Sequence, residues 1–475
     1  MAPSEVIEAQ GSTSTKPTQH QHRSGGRLAH RSFNHEPLMV NSAHGLQIHL
    51  ANGQTILDAC GGAAVATIGH NNDEVKAAVQ TQMQQVSYVH TQAFTTRSAE
   101  DLADLLLEGG PGGLEMALFV CSGSEAMEAA LKLARQYHYE RGETERVHLV
   151  ARRQGYHGNT VAAMSVSSNV ARKLPYQMEG GGGLVYPHVS HVSPAYAYRY
   201  QREGESEDEF TARLLREIDD EFQRVGPGRV MAFVAEPVVG ATAGCVPPPK
   251  GYLAGVRALC DKYGILLILD EVMCGAGRCG SFFAFEQEEG VTPDILTMAK
   301  GLGGGYAAIA GVLMHARVVD ALKKGTGSFV HGHTYQAHPV SCAAALAVQR
   351  IIRRDGLVER CAAMGEVLER LLREELRACR SVGDVRGRGL FWAVEFVRDK
   401  DTKETLDPGV GFGVKVQVAA LERGVAVYPG SGTVDGVRGD HVLLAPPYTV
   451  TEEQLGVVCR VLREAIECQE AKYLG

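Results

Sequence analysis

The chain has 475 residues, of which 44% are hydrophobic and 21% are charged, so it can bury a sizeable core and is not globally disordered. It contains 47 Lys and Arg residues against 55 Asp and Glu residues, and the net charge of -8 argues against binding of nucleic acid or of a membrane surface through bulk positive charge. The 55 glycines show no collagen-like period and indicate tight turns or close approaches of the backbone to a ligand.

Targeting signals are weak in this sequence. The 11 cysteines are scattered without a C-x-x-C pair, which is typical of reduced thiols. No apolar run approaches the roughly 18 residues of a membrane span, and the N-terminus lacks the apolar stretch of a secretory signal. Glu5 and Glu8 precede the first arginine, which disfavours a mitochondrial presequence. We therefore expect a cytoplasmic location, with a mitochondrial one as the alternative.

The first predicted segment is a mobile tail, because residues 1 to about 30 are rich in polar residues and show no hydrophobic period. Gly45 to Gly53 predicts a hairpin that turns at Asn52 and Gly53. Helices and strands then alternate, which predicts a mostly parallel sheet covered by helices on both faces. The expected helices are 100–108, 124–141, 210–225 and 252–263, and the expected strands are 115–120, 147–151, 230–235 and 265–269. The glycine-rich stretch from Gly180 predicts a loop, and the chain beyond about Cys342 predicts a long helix and then a second α+β unit.

The strongest single feature is a run of five apolar residues that ends in Asp270 and Glu271. Ligands of open parallel sheets bind beyond the carboxyl ends of the strands, so a carboxylate at this position is expected to face a ligand. The pair could also bind Mg²⁺ beside a phosphate-binding loop, but the chain lacks the G-x-x-x-x-G-K-[ST] motif. Alternatively, Asp270 could serve only as a helix cap.

Lys300 ends a second apolar run and enters a glycine-rich turn that extends to Gly305. A lone lysine normally lies on the solvated surface. Here the apolar residues before it would desolvate the amine, lower its pKa and make it a competent nucleophile.

Two further segments are weaker signals. Ser122, Gly123 and Ser124 precede or begin a predicted helix, whose N–H groups could bind an anion, although the same pattern is an ordinary capping box. Tyr156 and His157 follow a strand, where the tyrosine ring could stack on a flat ligand or could simply pack in a loop.

Taken together and in this order along the chain, these features are the ones that a protein needs to bind and use pyridoxal phosphate. From about residue 35 onward the chain resembles the class III aminotransferases of the pyridoxal-phosphate-dependent fold type I. The most specific matches are Leu269 to Arg278, Asp294 to Gly305 and His331 to Pro339. The resemblance implies an α/β fold with a mostly parallel sheet in a large domain and a smaller α+β domain. It implies a tail at 1–34, an N-terminal part of the small domain at 35–70, a large cofactor-binding domain at 71–340 and a C-terminal small domain at 341–475.

The resemblance also implies residue roles. Lys300 would form the internal aldimine, and Asp270 would pair with the pyridine nitrogen of the cofactor. A carboxylate near this nitrogen raises its pKa, so that the protonated ring acts as an electron sink. The other cofactor-binding residues lie around the expected ring and phosphate, and they are Ser122, Gly123, Ser124, Tyr156, His157, Glu236, Val272 and Thr334. Thr334 would reach the cofactor of a neighbouring subunit, which implies a homodimer.

The activity implied by the resemblance is transamination in two half-reactions with ping-pong kinetics. The donor would be an amine, an ω-amino compound or an amino acid, and the acceptor a small 2-oxo acid such as pyruvate. A decarboxylase or an aminomutase of the same fold is the alternative. A non-enzymatic regulator is a further one, but such proteins usually carry a basic helix-turn-helix segment, for which the tail is too short.

One position departs from the family pattern. Many members carry an arginine shortly before the Pro-Pro pair, which grips a substrate carboxylate, whereas this chain has Leu443. In members with that arginine, a glutamate at the position of Glu236 can pair with it, and a buried carboxylate without a partner is costly. We therefore expect Glu236 to meet Arg438, His441 or a cationic substrate group, and we favour an amine or ω-amino donor over an α-amino acid.

We expect no metal site. His331 and His333 form an H-x-H pair, but no third ligand lies at a suitable spacing in the sequence.

Overall fold

The structure is a computed structural model that describes residues 27–178 and 183–474. Most of the tail expected at 1–34, and part of the loop expected from Gly180, lie outside the described residues. The domain boundaries stay a prediction. None of the helices in the described ranges is long and apolar enough to cross a membrane. The cytoplasmic location also stays a prediction.

The elements follow one another in the alternation that the sequence predicts. The strands are β1 Val40–His44, β2 Gln47–Leu50, β3 Thr55–Asp58, β4 Leu114–Val120, β5 His148–Arg152, β6 Val189–Val192, β7 Val230–Ala235, β8 Leu266–Asp270, β9 Ile295–Met298, β10 Ala310–His315, β11 Val382–Arg388, β12 Phe391–Phe396, β13 Val425–Ala426, β14 Tyr428–Ser431 and β15 Asp440–Leu444. The helices are α1 Gly61–Ala64, α2 Asp73–Gln85, α3 Arg97–Leu107, α4 Gly123–Glu140, α5 Val161–Val166, α6 Val170–Lys173, α7 Ala197–Tyr200, α8 Glu207–Val225, α9 Tyr252–Tyr263, α10 Ala316–Lys324, α11 Pro339–Arg354, α12 Leu357–Glu375, α13 Phe412–Glu422 and α14 Glu452–Tyr473.

Within the described residues, seven strands form one sheet in the order β4-β10-β9-β8-β7-β5-β6. The strands from β9 to β6 are parallel to their neighbours, and β10 runs antiparallel to both β9 and β4. The expected mostly parallel sheet is therefore confirmed. Because β10 is antiparallel to both neighbours, β4 points the same way as the other strands, and their carboxyl ends share one edge.

Helices cover both faces of this sheet. The side chains of successive strand residues point to opposite faces, so Val234 packs with α4 on one face while Phe233 packs with α8 and α9 on the other. All residues of β7 and β8 are buried. These strands read as continuous apolar runs because they are covered on both sides.

Two smaller sheets, each of four strands in the described ranges, complete the architecture with the orders β1-β2-β3-β13 and β11-β12-β15-β14. The predicted hairpin is confirmed as β2 and β3, and Gly53 adopts the left-handed conformation at φ 88° in its turn. Strand β13 pairs in parallel with β3 and so joins the C-terminal part to the N-terminal part.

Several predicted elements differ from the structure in their bounds; α3 and α8, for example, each begin three residues earlier than expected. The long helix expected after Cys342 is two helices, α11 and α12, separated at Gly356, which has φ 59°. A glycine in the left-handed region ends a helix without steric cost, which explains the break. The strand expected at 265–269 is β8, which begins one residue later and includes Asp270 as its last residue.

Candidate active site

A cavity of about 640 Å³ lies at the edge of the sheet where the carboxyl ends of the parallel strands meet. Tyr156 follows β5, Glu236 follows β7, Asp270 ends β8 and Lys300 follows β9. The cavity is lined by these four residues and, among others, by Ala63, Gly123, Ser124, His157, Gly158, Arg172, Thr242, Val272, Met273, Tyr428, Gly432 and Val437. These four residues therefore lie at the edge where open parallel sheets bind their ligands.

Asp270 is buried at the floor of the cavity and is held by three hydrogen bonds. His157 Nδ1 lies 2.8 Å from Oδ2, while the N–H of Val272 (3.0 Å) and the hydroxyl of Thr297 (3.3 Å) donate to Oδ1. These donors fix the carboxylate in one orientation while it still lines the cavity.

Glu271 points the other way, because adjacent strand residues face opposite sides of the sheet. Its carboxylate accepts hydrogen bonds from the N–H groups of Ala284 (2.7 Å) and Phe285 (2.8 Å). Burial raises the pKa of Glu271 to about 8. Of the two carboxylates that the sequence singles out, only Asp270 faces the cavity.

Lys300 begins a short turn after β9 and adopts a left-handed backbone conformation at φ 41°. Such a conformation costs on the order of 1–3 kcal/mol for a residue with a side chain, so the surroundings must impose it. Burial lowers the pKa of the Lys300 amine, and the negative charges of Asp270 and Glu236 oppose that shift. This is the desolvation that the apolar run before Lys300 predicts.

Gln349 of α11 holds the lysine turn in place. Its side-chain amide donates to the carbonyl oxygens of Gly301 (3.0 Å) and Leu302 (2.7 Å), directly after Lys300. Sequence reasoning missed this residue. No local signal could have found it, since it approaches the turn only in the fold.

The start of α4 forms a small cradle at the cavity. A Cβ on Gly123 would lie 2.9 Å from Val272 Cγ1, and a Cβ on Gly158 would lie 2.8 Å from Ser124 Oγ, so both positions require glycine. The helix N-terminus offers backbone N–H groups to an anion. Ser122 does not line the cavity, and its hydroxyl caps α4 by accepting a hydrogen bond from the N–H of Glu125 (3.3 Å).

Glu236 is buried and accepts hydrogen bonds from the N–H groups of Tyr156 (3.1 Å) and Gly240 (2.9 Å). Burial raises the pKa of its carboxyl group. The expectation that Glu236 meets Arg438 or His441 is wrong, because backbone N–H groups satisfy the carboxylate instead.

The two expected partners are engaged elsewhere. Arg438 pairs with Asp435 at 2.6 Å, and His441 Nδ1 lies 2.6 Å from the Thr433 hydroxyl. Leu443 is buried on β15 in an apolar cluster.

Two predicted features lie away from this cavity. Thr334 is exposed and does not line it, and its carbonyl oxygen accepts a hydrogen bond from the Tyr88 hydroxyl at 2.9 Å. His333 lies close to Cys121 and Glu125. The atoms with which these three side chains could bind a metal ion all lie within 4.8 Å of one another. Spacing along the sequence overlooked this group, because its members come from distant segments.

The lining residues fit pyridoxal phosphate on chemical grounds. They offer a partly desolvated amine for its aldehyde, an oriented carboxylate for its ring nitrogen and a glycine-lined helix N-terminus for its phosphate. Val272 and Tyr156 are apolar and aromatic groups of the same cavity, suited to the two faces of a flat ring.

Comparisons with known proteins agree on one family. Residues 29–466 match the family described as aminotransferase class-III. An uncharacterized aminotransferase of Schizosaccharomyces pombe is 48% identical over 92% of this chain and 94% of its own length. A gamma aminobutyrate transaminase 3 of Solanum lycopersicum, described as chloroplastic, is 32% identical over 88% of this chain and 78% of its own. The crystal structure of an (S)-enantioselective omega-transaminase from Thermomicrobium roseum is 36% identical, covers 96% of this chain and 97% of its own, and has a TM-score of 0.84.

Proposed function

Because the chain belongs to the class III aminotransferases, we propose that it moves an amino group from an amine or ω-amino compound to a small 2-oxo acid. It is a pyridoxal-phosphate-dependent transferase of fold type I that works in two half-reactions. The observation that carries the proposal is the meeting of the Lys300 amine, the Asp270 carboxylate and the glycine-lined start of α4 at one cavity. Within the described residues, we find no contact that favours a decarboxylase, an aminomutase or a regulatory protein.

Asp270 and α4 are the groups that would hold the cofactor. When bound, pyridoxal phosphate supplies a conjugated ring that takes up the electron pair left behind when the donor loses its α-proton. Asp270 would keep the ring nitrogen protonated, since a neighbouring negative charge raises the pKa of that nitrogen. His157 orients this carboxylate, and the N–H groups at the start of α4 bind the phosphate.

Lys300 has two roles in the proposal. Its amine would hold the cofactor by bonding to the aldehyde group. The same amine, when it is free, would hold and move the proton that the donor carbon loses. The lowered pKa of this amine favours the neutral form, which can accept a proton.

The preference for an amine or ω-amino donor rests on the leucine at position 443. An arginine there could bind an α-carboxylate next to the reacting carbon, whereas Leu443 is apolar and buried. Glu236, which would pair with such an arginine, is already satisfied by backbone N–H groups. The similarity to a gamma aminobutyrate transaminase and to an omega-transaminase supports the same donor class.

A donor screen tests this function. The purified holoenzyme is mixed with amines, ω-amino acids and α-amino acids in turn, and the loss of the visible absorption band of the lysine-bound cofactor is followed. We expect amines and ω-amino compounds to bleach the band and pyruvate to restore it. Activity confined to α-amino acids would contradict the proposed donor class.

A chemical label tests the position of the lysine. Reduction of the holoenzyme with borohydride, followed by digestion, should leave the cofactor on the peptide that contains Lys300. The Lys300→Ala variant should carry no label and should lose activity by roughly 10²- to 10⁴-fold, the range for a proton-transferring group. A label on another lysine would refute the assignment.

The active unit in this proposal is a homodimer. Thr334 is exposed and outside the cavity of its own chain, so it is available to a cofactor bound by a second copy. Three large hydrophobic side chains near Thr334 are also exposed. Val330 and Tyr335 are close to it in the sequence, and the ring of Tyr88 packs against that of Tyr335. Burial of such groups between two copies would stabilise the pair.

A further inference from the structure

The guanidinium group of Arg172 stands in the cavity wall without an acidic partner among the described residues. It lies over the ring of Tyr156, with 4.9 Å between Cζ and the ring centroid. A guanidinium stacked on an aromatic ring keeps its N–H donors free at the edge of its plane, where a carboxylate can accept two parallel hydrogen bonds. Its charge also reaches the reacting amine. Burial is the main cause that lowers the pKa of Lys300, and the positive charge of Arg172 lowers it further.

Helix α6 holds Arg172 in this place. Asn169 caps the helix by accepting a hydrogen bond from the backbone N–H of Arg172 at 3.1 Å. The next residue, Lys173, is buried, and its ammonium group donates to a backbone carbonyl at 2.8 Å. Val170 of the same helix packs closely on Gly436. A Cβ on Gly436 would lie only 2.7 Å from Val170 Cγ2. The backbone that carries Arg172 is thus fixed before a ligand binds, which reduces the entropy lost on binding.

The other charged groups at the cavity are less suited to bind an anion. Glu236 and Asp270 are carboxylates. Arg438 is engaged by Asp435 and does not line the cavity. Arg31 also lines the cavity and, like Arg172, it is exposed and has no side-chain hydrogen bond among the described residues, but only the Arg172 guanidinium of these two is stacked on an aromatic ring. The stacking on Tyr156 and the packed backbone of α6 therefore make Arg172 the cation of this cavity best placed to bind an anion.

We propose that Arg172 is the specificity-determining residue that binds the carboxylate of a substrate in this cavity. The amine of an ω-amino acid would then reach Lys300 while its distal carboxylate meets Arg172. This inference rests on the proposed function, because it assigns a substrate group to the cavity in which transamination takes place.

The test compares two donors that share one carbon chain and differ in the carboxylate, 4-aminobutanoate and butan-1-amine. The first half-reaction is followed alone, as bleaching of the cofactor band in the holoenzyme, so that no 2-oxo acid interferes. The Arg172→Gln variant should lose roughly 10- to 100-fold in kcat/KM for 4-aminobutanoate, the expected effect of one charged hydrogen-bonded pair. The reaction with butan-1-amine should change by no more than about twofold, since it offers no partner for the guanidinium.

Binding provides a second measurement that does not depend on turnover. Calorimetry with butanoate, which has a carboxylate but no amine, should show the same loss of affinity in Arg172→Gln and a partial recovery in Arg172→Lys. The Arg438→Gln variant is the matched control, because this exposed arginine lies near the cavity but is paired with Asp435. Its affinity for butanoate should equal that of the wild type.

Three outcomes would overturn the proposal. One is an equal loss of kcat/KM for both donors in Arg172→Gln, which would mean that Arg172 only supports Tyr156. The second is unchanged binding of butanoate in that variant. The third is a selective loss in Arg438→Gln instead. If the wild type reacts with α-amino acids alone, the proposed donor class fails, while the butanoate measurement still decides the role of Arg172.

Discussion

At the scale of single residues, the site depends on how neighbours in sequence are separated in space. Asp270 and Glu271 are adjacent, yet one faces the cavity and the other binds the N–H groups of Ala284 and Phe285. The alternation of a strand causes this separation. A pair of carboxylates at the end of a strand is therefore one ligand-facing group and one structural group, not a joint metal site.

Gln349 offers a test of how the lysine turn is positioned. The Gln349→Leu variant would leave the buried carbonyl oxygens of Gly301 and Leu302 without donors, which costs about 1–3 kcal/mol for each buried group. We expect a lower free energy of unfolding in the apoenzyme and a weaker cofactor band in the holoenzyme, measured by chemical denaturation and absorbance. The Gln84→Leu variant, at an exposed position of α2, is the control and should change neither. Equal behaviour of the two variants would show that Gln349 does not hold the turn.

At the scale of elements, the start of α4 is built around close contacts. Gly123→Ala would place a methyl group 2.9 Å from Val272 Cγ1, so either Val272 or the helix start must move. We expect cofactor affinity to fall by roughly tenfold or more, since overpacking costs on the order of 1–3 kcal/mol. Titration of the apoenzyme with pyridoxal phosphate measures this. Gly228→Ala is the matched control, because a Cβ there meets nothing within 4 Å, and its affinity should equal that of the wild type.

Helix α6 carries a buried ammonium group whose titration should be visible in stability. Burial lowers the pKa of Lys173 from its ordinary value of 10.5 to about 8. Between these values the unfolded chain binds the proton more tightly than the folded chain, so the contribution of Lys173 to stability should increase as pH rises from 8 to 10.5. The difference in free energy of unfolding between wild type and Lys173→Met should change across this window by about 1–3 kcal/mol. A difference that is constant with pH would contradict a lowered pKa.

At the scale of the whole molecule, the cavity is a consequence of sheet topology. Strands β4, β5, β7, β8 and β9 all end at the same edge because the connections between them return the chain to the opposite edge. Residues between 123 and 300 therefore meet in one place, and β14 together with the loop after it closes the cavity from the C-terminal part.

The proposed homodimer can be tested by complementation. Lys300→Ala removes the amine, and Thr334→Asp would repel a phosphate bound by the second subunit. If Thr334 serves the other chain, mixed dimers contain one site with both native residues, and an equal mixture should recover about a quarter of the wild-type activity. Each variant alone should be nearly inactive. No recovery after mixing, with dimers present by size-exclusion chromatography, would show that Thr334 serves its own chain or none.

The sequence by itself determined the features that depend on local order along the chain. The apolar runs before Asp270 and Lys300, the alternation of helices and strands, and the capping pattern at Ser122 are all periodic or adjacent, and their physical effects act over a few residues. Strand β7 and helix α9 accordingly begin and end where the sequence predicts.

Only the tertiary structure decided which distant groups meet. The partner of Glu236 is the backbone of Gly240 and Tyr156 rather than Arg438 or His441, because β15 and the loop before it turn those side chains to Thr433 and Asp435. The positions of Gln349 and Arg172 follow from packing between segments far apart in sequence. Such contacts depend on three-dimensional geometry, which no local pattern of residues encodes.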